Sequence, residues 1–412
     1  MSLIQPFAGL RPAPGRAAEV AAPPYDVLNT AEARRLVEGR PWSFLHISRA
    51  EVDLPEDTDP YASAVYAKAH ENLERMLAEG VLVRDPEPYY YVYRLIRGEH
   101  VQTGLVVSAS IADYDAGRIK KHEFTRPSKE DDRVRQIQAL DAQTGPVLLV
   151  HRATPDIDRT LAAVAADQPP EVDITAADGV RHQLWPVVGR GVIEHLTQAF
   201  ERLDSLYIAD GHHRSAAASR VAASRRCGDG EAGAGADQGF LAVVFPHDQM
   251  RILDYNRLVR DLSGLDAGAF LERVAERFTV EPSGTPVSPE RPGVFGMYLQ
   301  GVWYRLTLSD AIPPAADPVA ALDVSRLQEH LLGPILGIQD PRRDERIDFV
   351  GGIRGLAGLT ARVDSGEMAV AFALHPTRLE ELMAVADRGD VMPPKSTWFE
   401  PKLADGLVSL VL

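Results

Sequence analysis

Cysteine is almost absent from this chain, which has a single one at Cys227. An intrachain disulfide framework needs at least two cysteines, and a cysteine-based zinc knuckle needs several at short spacing. Both kinds of site are therefore excluded. A lone cysteine ahead of a glycine-rich stretch is more often incidental than functional, so we assign Cys227 no role.

Long apolar runs are missing as well. No run approaches the roughly 20 residues that cross a bilayer, although apolar residues make up 45% of the chain and charged residues 25%, as in soluble globular proteins. The opening residues have neither a basic flank nor the apolar stretch of a signal peptide. We therefore expect a cytoplasmic protein without membrane association.

Positive charge is scarce relative to negative charge. Lysine and arginine number 44 against 59 aspartates and glutamates, which gives a formal net charge of −15. Such a surface repels nucleic acid unless a strong basic patch overcomes the average field, and no such patch is obvious. The expected partner is a small molecule, and the sequence does not indicate an oligomeric state.

Several common catalytic motifs are also missing. The chain has no Gly-x-x-x-x-Gly-Lys-Ser/Thr phosphate loop, no Gly-x-Gly-x-x-Gly after a strand, no His-Glu-x-x-His and no Gly-x-Ser-x-Gly. The absence of these motifs therefore argues against the standard nucleotide-binding and hydrolase folds.

What is present indicates a mixed α/β (α+β) protein of two regions. A chain of 412 residues is too long for one ordinary core, and we place an N-terminal domain at 1–255 and a second α/β region at 256–412, whose C-terminal arm is a candidate to return to the site. Apolar spacing and turn residues predict the following elements: helices at 30–39, 60–80, 156–167, 215–225, 265–277, 323–332 and 377–388; strands at 89–97, 101–114, 147–151, 206–209, 240–245, 293–308 and 367–374. Residues 227–237 are predicted to form a surface loop.

The most informative segment combines a short apolar strand at 206–209, the run Asp210-Gly211-His212-His213-Arg214, and a helix. The first N–H groups of a helix are unpaired and lie at the positive end of its dipole, a glycine lets an anion approach the backbone, and His213 and Arg214 add donors. Asp210 is a candidate metal ligand or orienting base. The alternative is a charged N-cap with a surface histidine pair.

Two further segments carry candidate groups. Residues 120–133 contain His122, Glu123, Thr125 and Arg126 in a charged run, the parts needed for base catalysis around a polyphosphate, although such runs are more commonly solvated loops. Residues 392–403 contain Lys395 and Ser396, which could reach a phosphate. The alternative is a packed terminal arm anchored by Trp398 and Phe399.

Taken together, the ordered motifs resemble one bacterial family, known as domain of unknown function 1015. The motifs are Pro6-Phe7, Arg11-Pro12, Pro24-Tyr25-Asp26-Val27, His122-Glu123-Phe124-Thr125, Lys129-Glu130-Asp131-Asp132-Arg133, Ile208-Ala209-Asp210-Gly211-His212-His213-Arg214 and Pro394-Lys395-Ser396-Thr397-Trp398-Phe399. The resemblance runs from residue 5 to residue 409, with 228–237 as a local insertion. The family's Asp-Gly-His-His-Arg element is similar to the phosphate-binding element of the ParB and sulfiredoxin superfamily, which includes free serine kinases.

The resemblance implies a ParB/sulfiredoxin-like nucleotide-binding core and transfer of a phosphoryl group from ATP or ADP to free L-serine. In that case Gly211, His212, His213 and Arg214 bind nucleotide phosphates, and Asp210 helps to place Mg²⁺. Lys129 and Arg133 add positive charge around the transferred group. Glu123 is the preferred catalytic base, with Glu51 as its substitute.

Two other functions remain open. One is a nucleotide-binding regulator that uses the same turn without chemistry. The other is a DNA-associated partition-type protein, against which the net charge and the lack of a helix-turn-helix signal argue. A base carboxylate near the transferred phosphoryl group distinguishes the kinase from the regulator, because only the kinase needs one.

Overall fold

The structure, a computed structural model, describes residues 2–227 and 238–412. These residues form two compact units, one made of residues up to 250 together with 401–412, and the other of residues 251–400. Residues 401–412 belong to the first unit although they follow the second unit in the chain, and the predicted domains at 1–255 and 256–412 stay a prediction. The predicted loop and insertion at 228–237 lie outside the described residues.

The C-terminal residues join the first unit through backbone pairing that is remote in sequence. Strand β21 (Leu410–Val411) pairs with β7 (Ala142–Gln143), and Asp405 and Ser409 form bridges to Ala22 and Leu10. Such long-range pairing leaves no local pattern in the sequence.

The first unit is built on one mixed sheet with the strand order β6-β11-β8-β12-β5-β4-β10-β9, and β1 pairs with β5. The remaining strands of this unit form two separate two-stranded sheets, one of β2 and β3 and the other of β7 and β21. The strands are β1 (Ile4–Gln5), β2 (Leu10–Pro12), β3 (Leu82–Arg84), β4 (Tyr90–Arg97), β5 (His100–Ser110), β6 (Ile119–Lys120), β8 (Val147–His151), β9 (Val172–Thr175), β10 (Arg181–Val187), β11 (Leu206–Asp210) and β12 (Gly239–Pro246).

The helices of this unit are divided between two apolar clusters. The helices are α1 (Ala17–Val20), α2 (Thr30–Val37), α3 (Leu45–Ser48), α4 (Ser63–Ala78), α5 (Ile111–Asp115), α6 (Pro127–Leu140), α7 (Pro155–Asp167), α8 (Arg190–Glu201) and α9 (His212–Cys227). One apolar cluster joins the sheet to α7, α8 and α9, where small residues such as Ala217 and Ala218 let α9 approach the strands closely. A second cluster forms around α3 and α4.

The second unit contains an antiparallel sheet with the strand order β15-β17-β16-β19-β14-β18. Its strands are β13 (Arg251–Leu253), β14 (Tyr255–Val259), β15 (Phe278–Ser283), β16 (Val294–Leu299), β17 (Val302–Leu308), β18 (Ile347–Gly351), β19 (Val370–Ala373) and β20 (Trp398–Glu400), and β13 pairs with β20. Its helices are α10 (Ala267–Ala275), α11 (Pro318–Ala321), α12 (Asp323–Leu327), α13 (Gly355–Asp364) and α14 (Leu379–Asp387).

The predicted mixed α/β class is confirmed, and the apolar stripe of α4 is a core face, with Val65, Ala69, Leu73 and Met76 buried. The charged run at 120–133 is in part a helix and not an irregular loop. Helix α6 begins with Pro127 at its first turn and buries Asp132, Gln136, Ile137 and Leu140 on one face. Its charged residues lie mostly on the other sides. Within the described ranges, no helix is both long and apolar enough to cross a membrane.

Candidate functional site

The phosphate turn, which we define as Asp210–Arg214, connects β11 to α9. Gly211 has φ = 99°, a left-handed conformation that residues with a Cβ rarely adopt. A Cβ at this position would lie 3.3 Å from the Cα of Val147 and 3.2 Å from Nε of Arg214. The carbonyl of Gly211 accepts the backbone N–H groups of Arg214 and Ser215, so α9 starts abruptly and presents its first-turn N–H groups at the positive end of its dipole.

The loop that carries His122 and Glu123 reaches the phosphate turn because of strand order. Strands β6 and β11 are neighbours and parallel, with Ile119 beside Leu206. The carboxyl ends of parallel neighbours lie at the same edge of a sheet, so the residues that follow them meet. The backbone N–H of His122 accordingly donates to Nε2 of His212 over 3.4 Å.

The imidazoles of His122 and His212 pack edge to face, with ring centroids 4.5 Å apart. Both side chains are buried, at 2% and 5% exposure. Burial lowers the pKa of His122 to about 4, and burial together with the neighbouring His122 lowers the pKa of His212 well below its usual value. Both rings are therefore neutral near pH 7.

These two rings and Glu123 form a cluster that could hold a metal ion. Oε2 of Glu123 lies 4.0 Å from Nδ1 of His212, and one ligand atom from each of the three residues lies within 4.8 Å of the others. Nδ1 of His122 has no hydrogen-bond partner within the described part of the chain. Two imidazoles and a carboxylate suit Zn²⁺ or Fe²⁺, whereas Mg²⁺ prefers oxygen ligands.

Asp210 pairs with Lys402 from the C-terminal segment. Nζ of Lys402 lies 3.1 Å from Oδ2 of Asp210. Burial acts to raise the pKa of Asp210, but Lys402 and Arg214 outweigh it and hold the pKa below its usual range. The carboxylate is therefore ionised, and one of its oxygens already has a cationic partner.

The side chain of Arg214 folds back against Gly211 of the phosphate turn, with Nε 3.2 Å from the position of a Cβ at Gly211. Its side chain is 10% exposed, and its Nη1 donates to the carbonyl of Pro146. Its Nη2 lies 3.6 Å from Oδ2 of Asp26. Burial alone would lower the pKa of Arg214, but Asp26 and Asp210 raise it above its usual value. A permanent positive charge therefore sits directly under the turn.

His213 ties the phosphate turn to the start of α6. The backbone N–H of Arg126 donates to Nε2 of His213 over 3.0 Å, and burial is the main cause that lowers the pKa of His213. Neutral His213 thus serves as an acceptor here. The hydroxyl of Thr125 donates to Glu130 on α6, which fixes the same loop.

A small cavity of about 30 Å³ lies next to Arg214. It is lined by Tyr25, Ser48, Arg133, Gln136, Ile137, Ala142, Gln143, Thr144, Gly145, Arg214 and Asp405. The guanidinium of Arg133 lies 4.0 Å from the ring centroid of Tyr25 and 2.7 Å from Oδ2 of Asp132. Arg133 and Arg214 therefore line the same cavity.

Other predicted site residues have partners of their own. Glu51 is buried, and its Oε1 lies 2.8 Å from Nε of Arg49, which disfavours it as a base. Nζ of Lys129 donates to the hydroxyl of Tyr61 over 2.6 Å. The predicted roles of Glu51 and Lys129 at the phosphates stay predictions.

Lys395 and Ser396 belong to the second unit. There Oγ of Ser396 donates to the carbonyl of Pro393 over 2.7 Å, and the carbonyl of Ser396 accepts from Thr377 over 2.9 Å. Nζ of Lys395 lies 5.8 Å from the ring centroid of Tyr255. Their predicted role at a phosphate stays a prediction.

Sequence reasoning missed Asp26, Lys402 and Asp405 as site residues. Asp26 stands in the quoted motif Pro24-Tyr25-Asp26-Val27, and Lys402 stands in the polar C-terminal segment that was noticed for Lys395 and Ser396. The signal was present in both cases. Only the three-dimensional pairing with Arg214 and Asp210 shows what these residues contact.

Comparison with known proteins finds one matching family and several solved structures of low similarity. A profile of the family described as protein of unknown function (DUF1015) matches residues 4–325, and no curated protein matches the chain. The chain is similar to a structure of free serine kinase in complex with AMP, with 15% identity and a TM-score of 0.36 over 71% of this chain and 86% of that one.

Two further solved structures are similar at the same level. One is SbnI with C-terminal truncation from Staphylococcus aureus, with 13% identity and a TM-score of 0.37 over 74% of this chain and 87% of that one. The other is a conserved hypothetical protein from Pyrococcus furiosus, with 14% identity and a TM-score of 0.35 over 76% and 97%. At these values we transfer neither residues nor chemistry, and the ParB/sulfiredoxin-like core stays a prediction.

Proposed function

Since the chain belongs to the DUF1015 family and the motifs around Asp26 and His122 contact the phosphate turn, we propose that it is an ATP- or ADP-dependent kinase that phosphorylates free L-serine or a similar small hydroxy compound. The observation that carries this proposal is the carboxylate of Glu123 beside the turn, 4.0 Å from Nδ1 of His212. A phosphate site and a nearby base are the two groups that such a transfer requires.

The phosphate turn supplies the anion site. Gly211 lets a phosphate approach the backbone, and the first N–H groups of α9, from His212 and His213, point out of the helix end. The buried charge of Arg214 adds to the helix dipole from below. The imidazoles of His122 and His212 are neutral near pH 7, so they add no positive charge of their own to this anion site.

The transfer step follows from this arrangement. The serine hydroxyl oxygen attacks the terminal phosphorus of the nucleotide, the bond from that phosphorus to its bridging oxygen breaks, and the hydroxyl proton passes to the carboxylate of Glu123. Glu123 is 46% exposed, so a substrate can reach it. The buried Glu51, held by Arg49, is the weaker choice.

Mg²⁺ fits the residues present if it binds together with the nucleotide. Asp210 is ionised and stands at the end of β11, directly before the phosphate turn, and one carboxylate plus phosphate oxygens is a usual set of Mg²⁺ ligands. When bound, Mg²⁺ would neutralise charge on the phosphates. Lys402 brings a second positive charge to the same carboxylate.

The first experiment incubates the purified protein with L-serine, Mg²⁺ and either ATP or ADP and measures O-phosphoserine by mass spectrometry. We expect product with one nucleotide. Glu123→Gln should bind nucleotide normally and lose turnover, and Arg214→Ala should weaken nucleotide binding. Arg225→Ala is the matched control, because Arg225 lies on the same helix in a surface ion pair with Asp141, which contributes little to stability.

The outcomes separate the two candidate functions. Protein that binds nucleotide but makes no O-phosphoserine with either donor would overturn the kinase and favour a nucleotide-binding regulator. Full turnover in Glu123→Gln would remove Glu123 from the base role. Circular dichroism of Arg214→Ala shows whether weaker binding reflects lost folding, since Arg214 also holds Pro146.

A further inference from the structure

The cavity beside Arg214 has an unusual balance of charge. Two guanidinium groups line it, and each has a carboxylate close by: Arg133 lies 2.7 Å from Asp132, and Arg214 lies 3.6 Å from Asp26. Asp405 is a further carboxylate in the wall. Arg133 and Arg214 are thus each close to a carboxylate that is not part of the lining, and Asp405 remains as the one carboxylate among the lining residues.

Asp405 is the carboxylate left over. Its side chain is 2% exposed, and within the described residues its Oδ1 has no hydrogen-bond partner. The backbone N–H of Tyr25 bonds to the carboxylate, but burial raises the pKa of Asp405 to about 7. A buried carboxylate that has one oxygen without a hydrogen-bond partner is stabilised most by a cationic hydrogen-bond donor.

Arg214, on the same wall, also has unused donor capacity. Its Nε is buried and has no hydrogen-bond partner in the part of the chain that the structure describes. One cavity is thus lined by a guanidinium with an unused N–H donor and by a carboxylate with an unused acceptor oxygen. A ligand that carries both an anionic and a cationic group would satisfy both.

Gly145 keeps the space between these two side chains open. A Cβ at Gly145 would lie 3.4 Å from Cδ of Arg214 and 3.5 Å from Oδ1 of Asp405. These are ordinary contact distances, so alanine would fit and fill that space without a clash. The glycine leaves room for a ligand group where any other residue would place its own side chain.

We propose that this cavity binds the ammonium and carboxylate groups of a small free amino acid, with Asp405 receiving the ammonium and Arg214 facing the carboxylate. At about 30 Å³ the cavity exceeds the roughly 10–15 Å³ that a single water requires. The inference rests on the proposed function, because it identifies where the phosphoryl acceptor is held next to the phosphate turn.

The test measures binding without turnover. L-Serine is titrated into the purified protein by isothermal titration calorimetry, alone and with AMP, which has no terminal phosphoryl group to transfer to serine. We expect saturable binding of L-serine, and at least about tenfold weaker binding of 3-hydroxypropionate and of ethanolamine, which lack the ammonium and the carboxylate respectively.

Three variants localise the binding. Gly145→Ala fills the space without changing charge, and Asp405→Asn removes the negative charge at nearly constant shape. We expect each to weaken L-serine binding by about tenfold or more, and Asp405→Asn to lose the preference for L-serine over 3-hydroxypropionate. Gly191→Ala is the control, because a Cβ there meets nothing within 4 Å and Gly191 lies in α8.

The results also separate this inference from the kinase proposal. If L-serine fails to bind with and without AMP, or if folded Gly145→Ala and Asp405→Asn bind it as tightly as the wild type, the inference is overturned, whether or not O-phosphoserine forms. If L-serine binds as expected and no O-phosphoserine forms, the inference stands and the kinase proposal fails. Thermal melting establishes that each variant is folded.

Discussion

Replacing Gly211 by alanine tests whether the phosphate turn depends on both its backbone conformation and its close packing. At φ = 99° an alanine pays the cost of a left-handed backbone, about 1–2 kcal/mol. Its Cβ would also press on the Cα of Val147 at 3.3 Å and on Arg214 at 3.2 Å. Backbone atoms of a central strand cannot move aside easily, so overpacking adds about 1–3 kcal/mol.

Gly117→Ala separates the two contributions. Gly117 also has a positive φ, of 78°, but a Cβ there meets nothing within 4 Å. This control should therefore lose only the backbone contribution of about 1–2 kcal/mol, whereas Gly211→Ala should lose about 2–5 kcal/mol in total. The difference between the variants measures the contact with Val147 and Arg214.

Hydrogen exchange followed by mass spectrometry is the suitable assay, because it reports the opening free energy of individual segments in a protein of two units. We expect faster exchange in peptides from β8 and β11 in Gly211→Ala than in Gly117→Ala, and weaker nucleotide binding in Gly211→Ala alone. Equal exchange in the two variants, with nucleotide binding unchanged, would refute this account of the turn.

Two further predictions concern buried carboxylates. Lys402→Met removes the nearest cation from Asp210, so burial should raise the pKa of that carboxyl, which carbonyl chemical shifts against pH would show; an unchanged pKa would mean that Arg214 alone controls it. Asp323, in the second unit, has a pKa raised to about 7, mainly by burial. Its protonated form therefore contributes stability below the unfolded-state pKa, and this contribution is lost as pH rises through about 7, by up to roughly 4 kcal/mol. Asp323→Asn should make the urea midpoint depend less on pH between pH 5 and 8. The control Asp317→Asn, at an exposed position, should leave that pH dependence unchanged.

The phosphate turn was predictable because all its determinants are local. An apolar strand, a glycine and an alanine-rich helix follow one another between Leu206 and Cys227, and each leaves its own pattern in the sequence. The approach of His122 to His212 was not predictable in the same way. It depends on the pairing of β11 with β6, a strand of two residues that is too short to show periodicity.

Charge misled the interpretation of residues 120–133. Helix α6 is strongly polar, and its buried face includes Asp132 and Gln136, which do not mark a core face by apolar spacing. Asp132 is buried because its oxygens accept from Tyr66 and Arg133. Polar residues that are buried through such partners cannot be recognised until the partners are known.

Residues 401–412 have a consequence for how the protein is made. They complete the first unit, yet they follow the whole of the second unit in the chain. A nascent chain that ends at residue 400 lacks Lys402 beside Asp210, Asp405 in the cavity wall and the strand β21. The ionic arrangement of the site therefore forms only after residues 401–412 have been synthesised, so a product truncated at residue 400 that folds its second unit normally would still have an incomplete site.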